Sequence, residues 1–355
     1  MNSIPWISFR RSLFCGLFLN LLLFFSLPVS SDEQPGLRGD LLLIVGSSGT
    51  PEYAQQFQNW KEKWNEAARV GNVHVTSVGN DEAKEVLSEV ESALKTLSSE
   101  RTLPLWIVLI GHGTFDGRTA RFNLPGPDLE PGQLKSWLNT IQRPVAVINC
   151  FSASGPFLKE LSQPGRIVIT ATNSGNEVNF SRFGGYLADS INNLAADQDK
   201  DQQVSLLEAF LRASALTDEF YTSDGRLPTE HALLDDNGDT LPVPATGFEG
   251  VRPVRRVETG NTLPDGVRTH QWHLCPNEEE SSLSPETIAR RNELELQIAT
   301  LRSRKEQIPE EKYYTRLEPI LLEMARLLIS SSPLEEKPQV QEATESPMSD
   351  DVPKE

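Results

Sequence analysis

Short unbroken apolar runs along this chain alternate with longer stretches in which apolar residues recur every three or four positions. That alternation predicts strands and helices in turn. Residues 40–45 (DLLLIV) and 73–78 read as strands. Between them, Tyr53, Phe57, Trp60, Trp64 and Ala67 line one face of a helix over 51–69. Asp81 caps a further helix to about residue 97, striped by Val86, Leu87, Val90, Ala93, Leu94 and Leu97. Two more runs, 106–110 and 145–148, are rich in Val and Ile, bounded by turn residues and too short for independent helices. They predict buried strands joined by a crossover helix. A short helix over 153–161 precedes a fifth strand at 166–171 (RIVITA), and helical spacing resumes over 183–194 and 204–220. The repeated strand–helix order predicts an α/β domain over 32–274 with a mainly parallel sheet.

Both ends of the chain break this rhythm. Arg10 and Arg11, an apolar run over 13–27 and the small residues Val29 and Ser31 fit an export signal cleaved before Asp32. The apolar run falls short of the roughly 20 residues a membrane span needs. An exported, periplasmic or extracellular protein of bacterial type is expected, touching a membrane only through that segment if it stays uncleaved. Segment 241–274 mixes prolines with short apolar runs and predicts no element. Ser284-Pro285 opens a helix with Ile288, Leu294, Ile298, Leu301 and Ile308 on one face. A second helix from about 309 shows Tyr314, Leu317, Leu321, Met324 and Leu328, with Pro319 as a kink. The pair predicts a helical hairpin over 284–330, either a packing appendage or an arm for protein contacts. Residues 331–355 are acidic, carry prolines and lack aromatics, which predicts a disordered tail.

Composition narrows the function classes. The chain of 355 residues has a net charge of −17, and removing the signal leaves it more acidic still. Such an excess argues against nucleic acid as a partner, because phosphate binding needs a basic face. It favours cation binding where acids cluster. The three cysteines, Cys15, Cys150 and Cys275, are too few for a disulfide framework.

Chemistry concentrates at two strand ends. In parallel sheets ligands bind outside the carboxyl ends of the strands, and there stand Gly111-His112-Gly113 and Asn149-Cys150. A neutral imidazole and a thiol at neighbouring strand ends make a base and a nucleophile. A helix beginning just after Cys150 would lower its pKa through the helix dipole. The backbone N–H groups of Gly113 and Cys150 would then face the developing oxyanion. On residues alone a buried structural cysteine is an equal alternative.

The block order in WIVLIGHG…VAVINC, an apolar run ending in His-Gly and another ending in Cys, resembles the caspase–legumain clan of cysteine peptidases. The likeness is greatest to its legumain-like branch, and it covers residues 105–155. It implies a three-layer caspase-like fold in which His112 is the base and Cys150 attacks a peptide carbonyl. The resulting thioester passes its acyl group to water or to an amine, with a peptide or protein as substrate and no organic cofactor. Asn149 and Phe151 depart from the small residue and the acid that flank the nucleophile in that branch, so substrate preference does not carry over. By the same resemblance Thr172, Asn173, Ser174 and Glu177, after the next strand, belong to a substrate-pocket wall. Arg118 and Arg121, after the His loop, are candidates to receive an acidic side chain.

Residues 197–208 carry a second kind of chemistry. Asp197, Asp199, Asp201, Ser205 and Glu208 stand at positions 1, 3, 5, 9 and 12 of a loop resembling an EF-hand, with Gln203 offering its carbonyl at position 7. Gln202 replaces the usual glycine at position 6. A structural calcium ion is expected here, with a solvated acidic turn as the alternative. Asp235-Asp236-Asn237-Gly238-Asp239 repeats the early spacing but has no acid at position 12.

Three rivals to a peptidase remain: a non-catalytic binding or scaffold member of the same fold, a serine hydrolase, and a calcium-dependent structural protein. The sequence lacks the G-x-S-x-G elbow that the serine hydrolase would need.

Overall fold

The computed structural model describes residues 36–79, 84–98, 102–254 and 263–331. The expected signal segment, Cys15, the Asp81 cap and tail residues 332–355 lie outside the described residues.

Strands β1 (Gly39–Val45), β2 (Val73–Val78) and β3 (Leu105–Ile110) are followed by a hairpin of β4 (Gly113–Phe115) and β5 (Ala120–Phe122). Then come β6 (Val145–Cys150), β7 (Arg166–Thr170) and β8 (Leu233–Asp235), with a second small hairpin of β9 (Phe248–Glu249) and β10 (Arg252–Pro253). The helices are α1 (Pro51–Val70), α2 (Val86–Leu97), α3 (Pro131–Leu138), α4 (Gly155–Leu161), α5 (Phe183–Ser190) and α6 (Leu206–Ser223). Beyond these lie α7 (Glu278–Ser282), α8 (Pro285–Ser303) and α9 (Glu310–Ser331). The main sheet runs β2-β1-β3-β6-β7-β8, parallel except for β8 at one edge.

β3 and β6 are buried along their whole length. Their alternate side chains feed two separate cores, which is why they read as unbroken apolar runs. Trp106, Val108, Ala146 and Ile148 pack with Phe57 and Trp64 of α1, Phe183 of α5 and Phe210 of α6. Ile107, Leu109 and Val147 pack with Val90 and Leu94 of α2, Leu134 of α3 and Phe157 of α4. The result is the expected three-layer α/β fold with a mainly parallel sheet.

Local chemistry shifts several helix ends. α4 starts at Gly155 rather than 153, because Ala153 sits at φ +58° in the left-handed region. α5 ends at Ser190, short of residue 194. α6 starts at Leu206, where Ser205 and Glu208 close a capping box. In the C-terminal hairpin Ser284 accepts from the Thr287 N–H and caps α8, while α9 continues through Pro319.

The segment the sequence could not resolve is partly a strap across the sheet. The Leu206 N–H donates to the Trp272 carbonyl at 2.7 Å, and Trp272 meets Trp106 edge-on with centroids 4.9 Å apart. Cys275 donates its S–H to the Ala67 carbonyl of α1. Gly71, at the turn after α1, lies so close to Leu274 that a Cβ there would sit 1.7 Å from its carbonyl oxygen. No helix among the described residues is long and apolar enough to cross a membrane.

Candidate functional site

His112 occupies the loop between β3 and β4. Its glycine neighbours are required by close approach: a Cβ on Gly111 would stand 2.8 Å from the Phe122 ring, and one on Gly113 2.0 Å from the Ser152 carbonyl oxygen. The imidazole Nε2 is 3.1 Å from the Ser48 carbonyl oxygen. A carbonyl only accepts, so Nε2 carries the proton and Nδ1 keeps its lone pair. Tyr53, Phe57 and Phe180 surround the ring edge-on, with centroids 4.6, 5.1 and 5.7 Å away. Burial lowers the imidazole pKa, and the Ser48 carbonyl opposes this in part. His112 is therefore a neutral, oriented imidazole.

Cys150 turns into the core. As the last residue of β6 it follows the phase of Ala146 and Ile148 into the α1/α5 core. A Cβ on Gly184 of α5 would lie 2.4 Å from the Cys150 Cβ, 3.2 Å from its Sγ and 3.0 Å from the Trp60 ring. The side chain is fully buried, and no hydrogen bond joins it to His112 among the described residues. The expected lowering of its pKa is reversed. Burial pushes the thiol far above its usual range, and α4 begins too far along the chain to offset it. Cys275 is also buried and free, so the two form no disulfide.

Ser152, which the sequence reading passed over, takes the place beside the His loop. The Gly113 N–H donates to Ser152 Oγ at 3.3 Å, and Ser152 Oγ–H donates back to the Gly113 carbonyl at 3.2 Å. The Gly113 amide therefore already has a partner, where an oxyanion had been expected. Ser152 lies in the turn S-A-S-G past the end of β6, and the Ala153 N–H binds the Glu177 carbonyl at 2.8 Å. The only sequence signal for it is a small hydroxyl residue two positions beyond an obvious strand end.

The expected pocket residues are structural ties. Thr172 is buried and bonded to Ser154 Oγ and the Gly155 N–H, and its own Oγ1–H also reaches the Ser174 carbonyl. Glu177 accepts from the Asn173 N–H at 2.9 Å and holds His231 through both backbone and ring. Arg121 is occupied by Asp116 at 2.8 Å and Glu130 at 3.0 Å. Arg118 is exposed in the β4–β5 turn. None of these residues lines the cavity of about 340 Å³ formed by Tyr53, Trp60, Phe180, Arg182 and Tyr186 with Glu52 and Asp189; it reaches His112 only through the rings of Tyr53 and Phe180.

The two acidic loops share one fold. In the first, Asp197 accepts from the N–H groups of Lys200 at 2.6 Å and Gln202 at 3.1 Å, and Asp201 from Gln203 at 3.1 Å. In the second, Asp235 accepts from Gly238 at 2.8 Å and Thr240 at 3.0 Å, and Asp239 from Leu241 at 2.8 Å. The fourth and sixth residues are left-handed in both: Lys200 and Gln202, then Gly238 and Thr240. Gln202 thus adopts the conformation glycine usually supplies. Carboxylate oxygens of Asp197, Asp199 and Asp201 lie within 4.8 Å of one another, and Asp199, Glu208 and His270 form a second such group. Ser205 stays on the α6 cap, where its N–H and Oγ both meet Glu208 at 2.9 Å, and the Gln203 side chain turns to Asp201.

No family model matches the chain, and no curated protein does. Among solved structures, protein GSU0716 of Geobacter sulfurreducens is 12% identical with a TM-score of 0.37, over 56% of this chain and 92% of that one. The Drosophila initiator caspase Dronc is 13% identical with a TM-score of 0.37, over 57% and 80%. Caspase-1 of Spodoptera frugiperda is 11% identical with a TM-score of 0.36, over 57% and 87%. Similarity at this level assigns neither residue roles nor activity.

Proposed function

We propose that this chain is an exported binding or scaffold protein on a caspase-like α/β frame, with calcium in the 197–208 loop, and that it does not work as a peptidase through Cys150. One observation carries the reading: the Cys150 thiol is fully buried, with Gly184 of α5 packed against it. A cysteine attacks as thiolate, and burial without a charged partner suppresses that form. The test is labelling of the folded chain by acyloxymethyl-ketone peptide probes, beside Cys150→Ala and His112→Ala. No labelling at Cys150 is expected until the protein is unfolded. Labelling of native Cys150 that needs His112 would restore the cysteine peptidase.

For calcium, the support is the convergence of Asp197, Asp199 and Asp201 on a loop whose backbone already holds the required turn. Outside the cytoplasm even a weak site of this type fills. Calcium at about a hundred times its dissociation constant should stabilise the fold by about 2.7 kcal/mol. Thermal melting with calcium and with chelator measures this. Asp201→Asn, which keeps the acceptor for the Gln203 N–H, should abolish the difference, and equal melting of the wild-type chain in both conditions would remove calcium from the account.

A second reading is favoured by Ser152, whose hydroxyl meets the His112–Gly113 loop. Acyl transfer through it would require Oγ to leave the Gly113 carbonyl and give its proton to His112 Nδ1. Fluorophosphonate labelling at Ser152, lost in His112→Ala, would establish this reading in place of the first.

A further inference from the structure

The cavity of about 340 Å³ between α1 and α5 is walled by rings. Tyr53 and Phe180 pack with centroids 4.6 Å apart, and Phe180 and Trp60 with centroids 6.0 Å apart, so these form one continuous wall. Helix α5 supplies Tyr186. At the base lies a donor with nothing to serve. Trp60 is only 8% exposed, yet its indole Nε1–H meets no acceptor among the described residues. Gly185, which also lines the cavity, leaves that N–H uncovered: a Cβ there would stand 2.8 Å from Nε1. A nearly buried N–H without an acceptor costs stability, and a ligand that brings an acceptor removes the cost.

The charges in the lining say what kind of ligand fits. Glu52, in the first turn of α1, has no partner among the described residues. The Arg182 guanidinium lies 4.0 Å over the Phe220 ring and donates to the Phe180 carbonyl at 3.4 Å, and no carboxylate pairs with it among the described residues. Asp189 is taken by Lys63. A bare cation entering the cavity would meet Arg182, and a bare anion would meet Glu52. A small molecule carrying both charges escapes both penalties. Ring faces attract a cation without offering it an acceptor, as in the cages that hold quaternary ammonium groups. They therefore favour an ammonium whose hydrogens are replaced by methyl groups, because the N–H groups of a primary ammonium would go unserved there. A carboxylate, in turn, accepts from the planar fork of Arg182 and from the Trp60 N–H. The volume lies at the small end of ligand pockets.

We propose that this cavity binds a small zwitterion bearing a methylated ammonium and a carboxylate, the ammonium against Tyr53, Phe180 and Tyr186 with Glu52 beside it, the carboxylate on Arg182 and the Trp60 N–H. The site rests neither on the reading of Cys150 nor on that of the calcium loop, which have their own tests. Isothermal titration of the full chain with N,N,N-trimethylglycine should show saturable binding. Tetramethylammonium, acetate and unmethylated glycine should each bind about tenfold more weakly or worse, since a desolvated cation–ring contact or a charged hydrogen bond is worth roughly that factor. Tyr186→Leu and Arg182→Gln should each weaken trimethylglycine by about tenfold or more, and melting of the ligand-free variants separates loss of the site from loss of the fold. The ligand series uses the wild-type chain, so it decides the matter even where a variant fails to fold. Absence of trimethylglycine binding overturns the proposal. So does glycine or tetramethylammonium binding as tightly as trimethylglycine, or full affinity retained in both variants.

Discussion

Cys150 and Ser152 show how far one strand's phase decides chemistry. Side chains alternate along β6, so the residue in step with Ala146 and Ile148 must enter the α1/α5 core. Gly184 is what makes room for it. Gly184→Ala should cost about 1–3 kcal/mol, the usual penalty for overpacking a tight core, and urea unfolding measures it. A neutral result would show that Cys150 has space to move and would reopen its role as a nucleophile. At this scale the sequence was legible only in part. His112 between two glycines announced a close-approach loop, and that loop is present. The same reading could not tell that the thiol faces inward, since both cores are equally apolar. Nor could it find Ser48, which acts only through its backbone carbonyl. Glu177 and Arg121 looked available because their partners, His231 and Glu130, come from elsewhere in the fold.

At the level of elements, burial patterns decided what could be read. Strands covered on both faces declared themselves, whereas β4, β5 and β8 have three residues each and carry no periodicity to detect. The start of helix α5 is likewise fixed from a distance. The buried Glu230 carboxylate accepts from the N–H groups of Arg182 at 2.9 Å and Phe183 at 3.1 Å, from the Tyr221 hydroxyl at 3.0 Å and from Ser181 Oγ. It serves as a remote N-cap for a helix whose own first residues supply none. Glu230→Ala leaves these donors without an acceptor and should destabilise the fold by about 3 kcal/mol or more. Amide hydrogen exchange should locate the loosening in α5, the helix that covers Cys150. Uniform loss of protection across the sheet would contradict the remote-cap role.

For the whole molecule, stability should depend on pH from two opposed sources. His273 is half-buried, and its loss of solvent lowers its pKa to about 4. The folded state thus prefers the neutral ring. This contribution is complete above the unfolded value of about 6.5 and is lost as pH falls from there towards about 4. His273→Gln should flatten the acid limb of a stability curve measured by denaturant titration between these values. Asp236 and Asp265 act the other way. Burial raises the pKa of both, and the Asp236 carboxylate raises that of Asp265 further, so the contribution present at low pH is lost as pH rises. Asp265→Asn should therefore stabilise the protein more at pH 8 than at pH 5, and the reverse order would show that the pair does not share a buried charge.

The strap across the sheet also constrains the order of assembly. Cys275 closes onto Ala67 from 208 residues further along the chain. A ribosome adding 5–20 residues per second delivers those residues in roughly 10–40 s. Throughout that interval the C-terminal end of α1 and the Trp106 side of β3 have no lid, and the N-terminal half cannot complete its packing alone. Final closure waits for the strap, which keeps the emerging chain open to holdase chaperones and to handling as an unfolded thread.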